Sequence, residues 1–225
     1  MNFGGIQRTS TIDFPGVLAC VIFCAGCDMN CFYCHNRSLI PFVEKMPARE
    51  VHAFLDKRAG KLDGVVVSGG EPTLQPDLLE FLQFCRELGY QIKLDTNGQR
   101  PGTIGQALEN ALADYVAVDL KALRPAYLAV CGIPPEQVHA EETIRLLLKA
   151  GAAFEVRTTL YPGMTLEELQ ALLRSQPPVP RWRLNDFQMP ADADTADARF
   201  RRPRLTRRGL APQWAALRKL QPGLV

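Results

Sequence analysis

Six short apolar runs rich in Val, Ile, Leu or Phe, at about 17–24, 64–68, 91–95, 115–120, 153–160 and 181–188, constrain this chain more than any other feature. Between them lie helix-like segments, clearest at 47–58, 74–88, 104–113, 136–150 and 165–175. Pro47 and Thr165 read as helix starts, and Gly89 and Gly151 as helix stops. Strand–helix alternation of this kind predicts parallel strands joined by right-handed crossovers. Six units without an internal repeat point to an α/β fold, a partial (β/α)6 barrel over residues 1–190. Residues 191–225 then form an arginine-rich segment and a terminal helix, at about 209–220, packed on the same domain. A chain of 225 residues with 47% hydrophobic content can bury such a core as one domain.

Parallel α/β folds gather their functional groups at the carboxyl ends of the strands. Every polar motif in this chain follows or ends a predicted strand. Cys27, Cys31 and Cys34 follow the first run, Gly69, Gly70 and Glu71 the second, and Asp95 and Asn97 the third. Asp119 and Lys121 follow the fourth, and Arg157 to Thr159 close the fifth. Five strand ends therefore converge on one mouth.

The cysteines have the spacing C-x3-C-x2-C. A cubane [4Fe–4S] cluster normally takes four thiolates, so a compact set of three leaves one iron open to something other than protein. Two other readings fit the same residues: a zinc site completed by His35, and buried structural cysteines. Zinc sites usually use two separated ligand pairs, and adjacent Cys34 and His35 bite poorly, which favours iron–sulfur.

Tyr33 before the last cysteine, together with Gly69-Gly70-Glu71-Pro72, gives the chain a resemblance to the radical S-adenosylmethionine (SAM) superfamily. Within it, Cys31-Phe32-Tyr33-Cys34-His35-Asn36, Asp95-Thr96-Asn97-Gly98, Asp119-Leu120-Lys121 and Arg157-Thr158-Thr159 resemble the activating enzymes of glycyl radical enzymes. Thr11-Ile12-Asp13-Phe14-Pro15-Gly16 is similar to the opening of the subgroup that serves anaerobic ribonucleoside-triphosphate reductase. The likeness runs from about Ile6 to Gln188.

The resemblance implies that Cys27, Cys31 and Cys34 bind three irons of a [4Fe–4S] cluster while SAM chelates the fourth. Electron transfer then releases methionine and a 5′-deoxyadenosyl radical, which abstracts a glycine Cα hydrogen in the partner enzyme. No side chain is expected to act as a catalytic base. The backbone of Gly69 and Gly70, with Glu71, is expected to take the SAM ammonium. Asp95, Asn97, Asp119, Lys121 and Arg157 are expected around the ribose and carboxylate, with a monovalent cation nearby. Tyr33, His35 and Asn36 are assigned to the adenine side. The implied partners are the large anaerobic ribonucleotide reductase, or another glycyl radical enzyme, and a flavodoxin- or ferredoxin-type reductant. Each motif also has a plainer reading: a strand-to-helix turn for Gly-Gly-Glu-Pro, helix-capping carboxylates for Asp95 and Asp119, and solvated rim charges for Lys121 and Arg157.

Cys20, Cys24 and Cys85 read as core residues, Cys24 the least settled because it neighbours Cys27 in Cys24-Ala25-Gly26-Cys27. Cys131 is expected to have no partner nearby. An acidic, alanine-rich stretch, Asp192 to Asp197, precedes six arginines between Arg199 and Arg208. That arginine segment reads as a solvated loop or as a grip on an acidic partner. A net charge of +2 argues against a dedicated nucleic-acid or membrane-surface protein. Seven clustered cysteines without a disulfide pattern, and no apolar stretch of membrane-spanning length, point to the cytosol. Outside this chemistry, a zinc-binding interaction module and a passive iron–sulfur electron carrier remain.

Overall fold

The computed structural model describes residues 1–190 and 196–225, so Asp192 and Asp194 of the acidic stretch lie outside the described residues. The described strands form one seven-stranded sheet in chain order. They are β1 (Phe3–Ser10), β2 (Ala19–Cys24), β3 (Gly64–Gly69), β4 (Gln91–Thr96), β5 (Tyr115–Asp119), β6 (Phe154–Leu160) and β7 (Trp182–Asp186). All six expected strands are present, and β2 to β7 pair in parallel. β1 adds a seventh strand, antiparallel to β2, which the sequence reading did not contain. Its residues, Phe-Gly-Gly-Ile-Gln-Arg-Thr-Ser, form no apolar run, because an antiparallel edge strand need bury only part of its surface.

The helices are α1 (Ala48–Arg58), α2 (Leu78–Glu87), α3 (Pro101–Glu109), α4 (Tyr127–Cys131), α5 (Ala140–Ala150), α6 (Leu166–Arg174) and α7 (Trp214–Leu220). α3 begins at Pro101, three residues before the expected start, because proline suits the first helical position where no amide partner exists. The expected helices at 74–88 and 136–150 each begin as a separate 3-10 turn, Pro72–Leu74 and Pro135–Gln137. Gly151 closes α5 at φ +63°, a conformation that costs a side-chain-bearing residue energy.

Strand register sorts the side chains onto two faces. Val65, Ile92, Leu94, Val116, Val118, Val156 and Trp182 occupy one and are buried with the apolar stripes of the helices. On the other, Ala19, Val21 and Val66 pack against Phe14 in a small second cluster. Lys93, Asp95, Asp119, Glu155 and Arg157 continue that second face. The concave surface is thus apolar on β2 and β3 and charged from β4 onward. The C-terminal residues close on β7: Trp182 N donates to Gly223 O (2.8 Å), and Val225 N donates to Trp182 O (2.9 Å). Among the described residues no helix is long and apolar enough to cross a membrane.

α6 starts with a complete capping box: Glu168 N donates to Thr165 Oγ1 (3.1 Å), and Thr165 N donates to Glu168 Oε2 (2.8 Å). Thr165→Ala removes one of these bonds and is expected to cost about 1 kcal/mol. In thermal unfolding the Tm should fall by about 2–4 °C for a chain of this size; an unchanged Tm would show the cap to be dispensable.

Candidate active site

The segment carrying Cys27, Cys31 and Cys34 has little regular structure and is held by other parts of the chain. Gly26 N donates to Leu39 O (2.8 Å), and Cys27 N to Ile40 O (3.0 Å). Asn30 N and Phe32 N donate to Cys131 O and Val130 O, docking the loop on the end of α4. Arg37 donates to Cys31 O and to Asn30 Oδ1, both at 3.0 Å. This docking also brings Cys131 beside Cys31, close enough for each thiol to affect the other, so Cys131 does have a neighbour, contrary to the sequence expectation. α4 was not anticipated, and it makes that contact. Cys20, Cys24 and Cys85 are fully buried, as expected of core residues.

Gly69 and Gly70 bring the end of β3 against this loop. A Cβ on Gly70 would lie 2.2 Å from Gly26 O, and one on Gly69, at φ +119°, would lie 2.3 Å from Cys24 N. Only residues without a side chain allow Gly70 N to donate to Cys24 O (2.8 Å) and Glu71 N to Gly26 O (2.7 Å). Glu71 is buried and secured by four donors. Oε1 accepts from Thr73 N, Thr73 Oγ1 and Thr96 Oγ1, whereas Oε2 accepts from Asn97 N alone (2.6 Å). Oε2 therefore retains capacity for one further donor. Burial pushes the Glu71 carboxyl up, and these bonds oppose the shift. Asn97 ties the end of β4 back to the loop, donating through Nδ2 to Asp28 Oδ1 (2.7 Å).

β4 to β6 contribute a chain of charges. Lys93 Nζ donates to Asp95 Oδ1 (2.5 Å), and Arg157 Nη1 donates to Asp95 Oδ2 (2.9 Å). Arg157 Nε also donates to Asp119 Oδ1 (2.9 Å), and Lys121 Nζ donates to Asp119 Oδ2 (3.1 Å). Arg157 reaches Asp95 across the intervening strand because the position between them on β5 is only Ala117. Desolvation costs several kcal/mol per buried ion, and an attraction at about 3 Å is roughly 5 kcal/mol at an effective dielectric of about 20. One partner per carboxylate nearly breaks even; two keep both carboxylates ionised. Burial, the largest single influence, would raise both acids; Arg157 together with Lys93 at Asp95 and Lys121 at Asp119 overcomes it, lowering Asp95 and holding Asp119 at about 2. The network has three cations for two carboxylates, which leaves one positive charge in excess.

These elements line one cavity of about 920 Å³. Its wall includes all three cysteines, Tyr33, His35, Asn36, Gly69, Gly70, Glu71, Asp95, Asn97, Asp119, Lys121 and Arg157, so every expected site residue meets there. The sequence reading missed Lys93, Asp28, Thr73 and Thr96 in the surrounding bonds, and Arg183, Asn185 and Arg207 in the wall. Lys93 was detectable, since it shares strand parity with Asp95. Elsewhere the arginine segment packs on aromatic rings, with Arg199 over Phe32 at 4.7 Å and Arg204 over Phe187 at 5.5 Å.

The donor set fits a polynuclear iron–sulfur cluster. Three thiols share one wall, the soft donor set that such a cluster takes. Burial pushes the Cys27 thiol up to about 12, so metal binding must displace protons from these residues. Beside them the Tyr33 hydroxyl is buried and has no hydrogen-bond partner among the described residues, while its ring stacks on Tyr161 at 5.4 Å. An unsatisfied buried donor in a cavity wall suits a polar ligand.

Two outcomes test this geometry. Gly70→Ala forces a Cβ against backbone and should destabilise the fold by about 1–3 kcal/mol, with less iron retained after reconstitution; wild-type stability and iron content would refute the close-approach role. Asp119 has its carboxyl depressed in the folded state, so its contribution is complete above the ordinary carboxylate range and is lost as pH falls toward about 2. Asp119→Asn should therefore be less stable than wild type near neutrality, with the gap closing in acid. A gap independent of pH would contradict the pairing.

Comparison with known proteins agrees with the site. The profile of the Radical SAM superfamily matches residues 21–175. A Methanocaldococcus jannaschii protein assigned as a glycyl-radical enzyme activating enzyme is 37% identical over 170 residues, covering 73% of this chain and 70% of its own length. The pyruvate formate-lyase-activating enzyme of Streptococcus mutans is 31% identical over 177 residues, covering 71% of this chain and 65% of its own. Among solved structures, Streptococcus suis SuiB bound to S-adenosylmethionine superposes with a TM-score of 0.59 at 18% identity, over 74% of this chain and 40% of that one. The last likeness is one of fold alone. With the profile spanning most of the sheet and the three-cysteine loop, the chain belongs to the radical SAM superfamily.

Proposed function

We propose that this chain activates a glycyl radical enzyme, and that its partner is anaerobic ribonucleoside-triphosphate reductase. The observation that carries the reading is the one cavity wall shared by Cys27, Cys31, Cys34 and the charged residues Asp95, Arg157, Asp119 and Lys121, with Lys93 bonded to Asp95 behind it. The three cysteines would hold a [4Fe–4S] cluster. Such a cluster, when bound with SAM, would supply the reducing electron for a 5′-deoxyadenosyl radical able to remove a glycine hydrogen. The excess positive charge beside Lys121 and Arg157 suits the SAM carboxylate, and Glu71 Oε2 with the Gly69 and Gly70 backbone suits its ammonium. Asp95 and Asn97 stand toward the nucleoside, and Tyr33, His35 and Asn36 toward the adenine.

A protein substrate is favoured by exposed apolar side chains near the cysteine loop. Phe42 and Val43 are both 57% exposed, and the Phe42 ring lies over Gly26. Leu128, 59% exposed, is on α4, which docks the loop from its other side. The ribonucleotide reductase assignment rests on the sequence likeness at Thr11–Gly16; a relative named for pyruvate formate-lyase supports a second reading, activation of another glycyl radical enzyme. A flavodoxin- or ferredoxin-type reductant completes the reaction, and seven free thiols suit the reducing cytosol.

Electron paramagnetic resonance tests the reading. Reduced, reconstituted protein mixed anaerobically with SAM and the large anaerobic reductase should give a glycyl radical doublet that needs all three components. Cys31→Ala should lose the cluster's visible absorption, 5′-deoxyadenosine release and the doublet together. Release of 5′-deoxyadenosine without a doublet would reject this partner but keep the chemistry; neither signal from cluster-loaded protein would reject both.

A further inference from the structure

The acid pair beneath the proposed SAM carboxylate site has no oxygen left without a cation. Asp95 Oδ1 faces Lys93 and Oδ2 faces Arg157; Asp119 Oδ1 faces Arg157 and Oδ2 faces Lys121. Lys93 is 1% exposed, with its charged end on Asp95 and the stem enclosed by β4 and its neighbours. A monovalent metal ion near the SAM carboxylate, as the family likeness implied, would have to share carboxylate oxygens that each already face a cation. It would also stand beside three fixed positive charges. The residues present do not fit such an ion.

We infer that Lys93 is a built-in monovalent cation: its ammonium does for Asp95 what an alkali metal ion would otherwise do. The charge balance supports this, because Lys93, Arg157 and Lys121 already exceed Asp95 and Asp119 by one, the sign and size needed to receive a single carboxylate. An added alkali ion would double that excess in a buried space. Without Lys93 the network would be neutral, and Asp95 would keep Arg157 as its only cation. Lys93 is thus a positioning residue, acting through Asp95 and Arg157. This inference rests on the radical SAM reading only for its link to the SAM carboxylate; the cation balance belongs to the chain itself.

Equilibrium dialysis of the full chain with radioactive rubidium, a potassium stand-in, tests it without activity. Wild type should show no saturable rubidium binding, and the same Tm in potassium, sodium or tetramethylammonium chloride at equal ionic strength. Lys93→Met should gain saturable binding, lose stability in tetramethylammonium and recover it in potassium. Lys93→Arg, which keeps the charge, should behave as wild type. For reconstituted protein, SAM affinity should be independent of alkali cation in wild type and about ten-fold or more weaker for Lys93→Met in tetramethylammonium. Saturable rubidium binding by wild type would overturn the inference even if Lys93→Met fails to fold. Failure of wild type to bind SAM would instead overturn the radical SAM reading and leave the dialysis result standing.

Discussion

Arg157 is the interaction on which the interior of this half-barrel depends. A parallel sheet flanked by helices on its outer face can close its inner face with apolar side chains or leave it open for a ligand. This chain does the first on β2 and β3, where Phe14 plugs Ala19, Val21 and Val66, and the second from β4 to β7. Charges on an open inner face survive partial burial only if they neutralise one another. Arg157 achieves this because a guanidinium offers two separated donors, one to each aspartate, at 2.9 Å in both cases. A lysine at that position would reach one carboxylate and leave the other with a single cation, Lys93 for Asp95 or Lys121 for Asp119.

Glu71 has the corresponding role for the other half of the site. Its oxygens collect donors from the turn after β3 and from the end of β4, and Asn97 passes the connection on to Asp28 beside Cys27. The two anchors, one acidic and one basic, fix the strand ends relative to the cysteine loop, so a ligand meets groups already in place.

The order of strands, the six parallel partners and the position of the mouth were all legible in the sequence, because buried parallel strands leave short apolar runs and their carboxyl ends collect polar residues. Cys27, Cys31, Cys34 and Glu71 were legible through spacing and motif. What escaped reading depends on tertiary contact. β1 is polar along much of its length and exists because β2 offers an unpaired edge. α4 has five residues and is defined by the loop it supports. Lys93 is the exception: it looks like an interruption of an apolar run, yet its i, i+2 spacing to Asp95 on one strand was visible in the sequence. Cys131 meets Cys31 across 100 residues of sequence, a pairing that no local pattern encodes.

The cysteine loop takes its backbone partners from Leu39, Ile40, Gly70, Glu71, Val130 and Cys131, and a side-chain bond from Asn97. Leu39 and Ile40 are local to the loop, whereas the others lie at the ends of β3 and β4 and on α4. In a zinc finger the metal organises a short peptide that is otherwise unfolded. Here, by contrast, the loop takes its shape from residues as far away as Val130 and Cys131, so the tertiary fold, not local sequence, brings the three thiols together. A substitution in α4, about a hundred residues away in sequence, can therefore reach the thiols through the backbone bonds at Asn30 and Phe32.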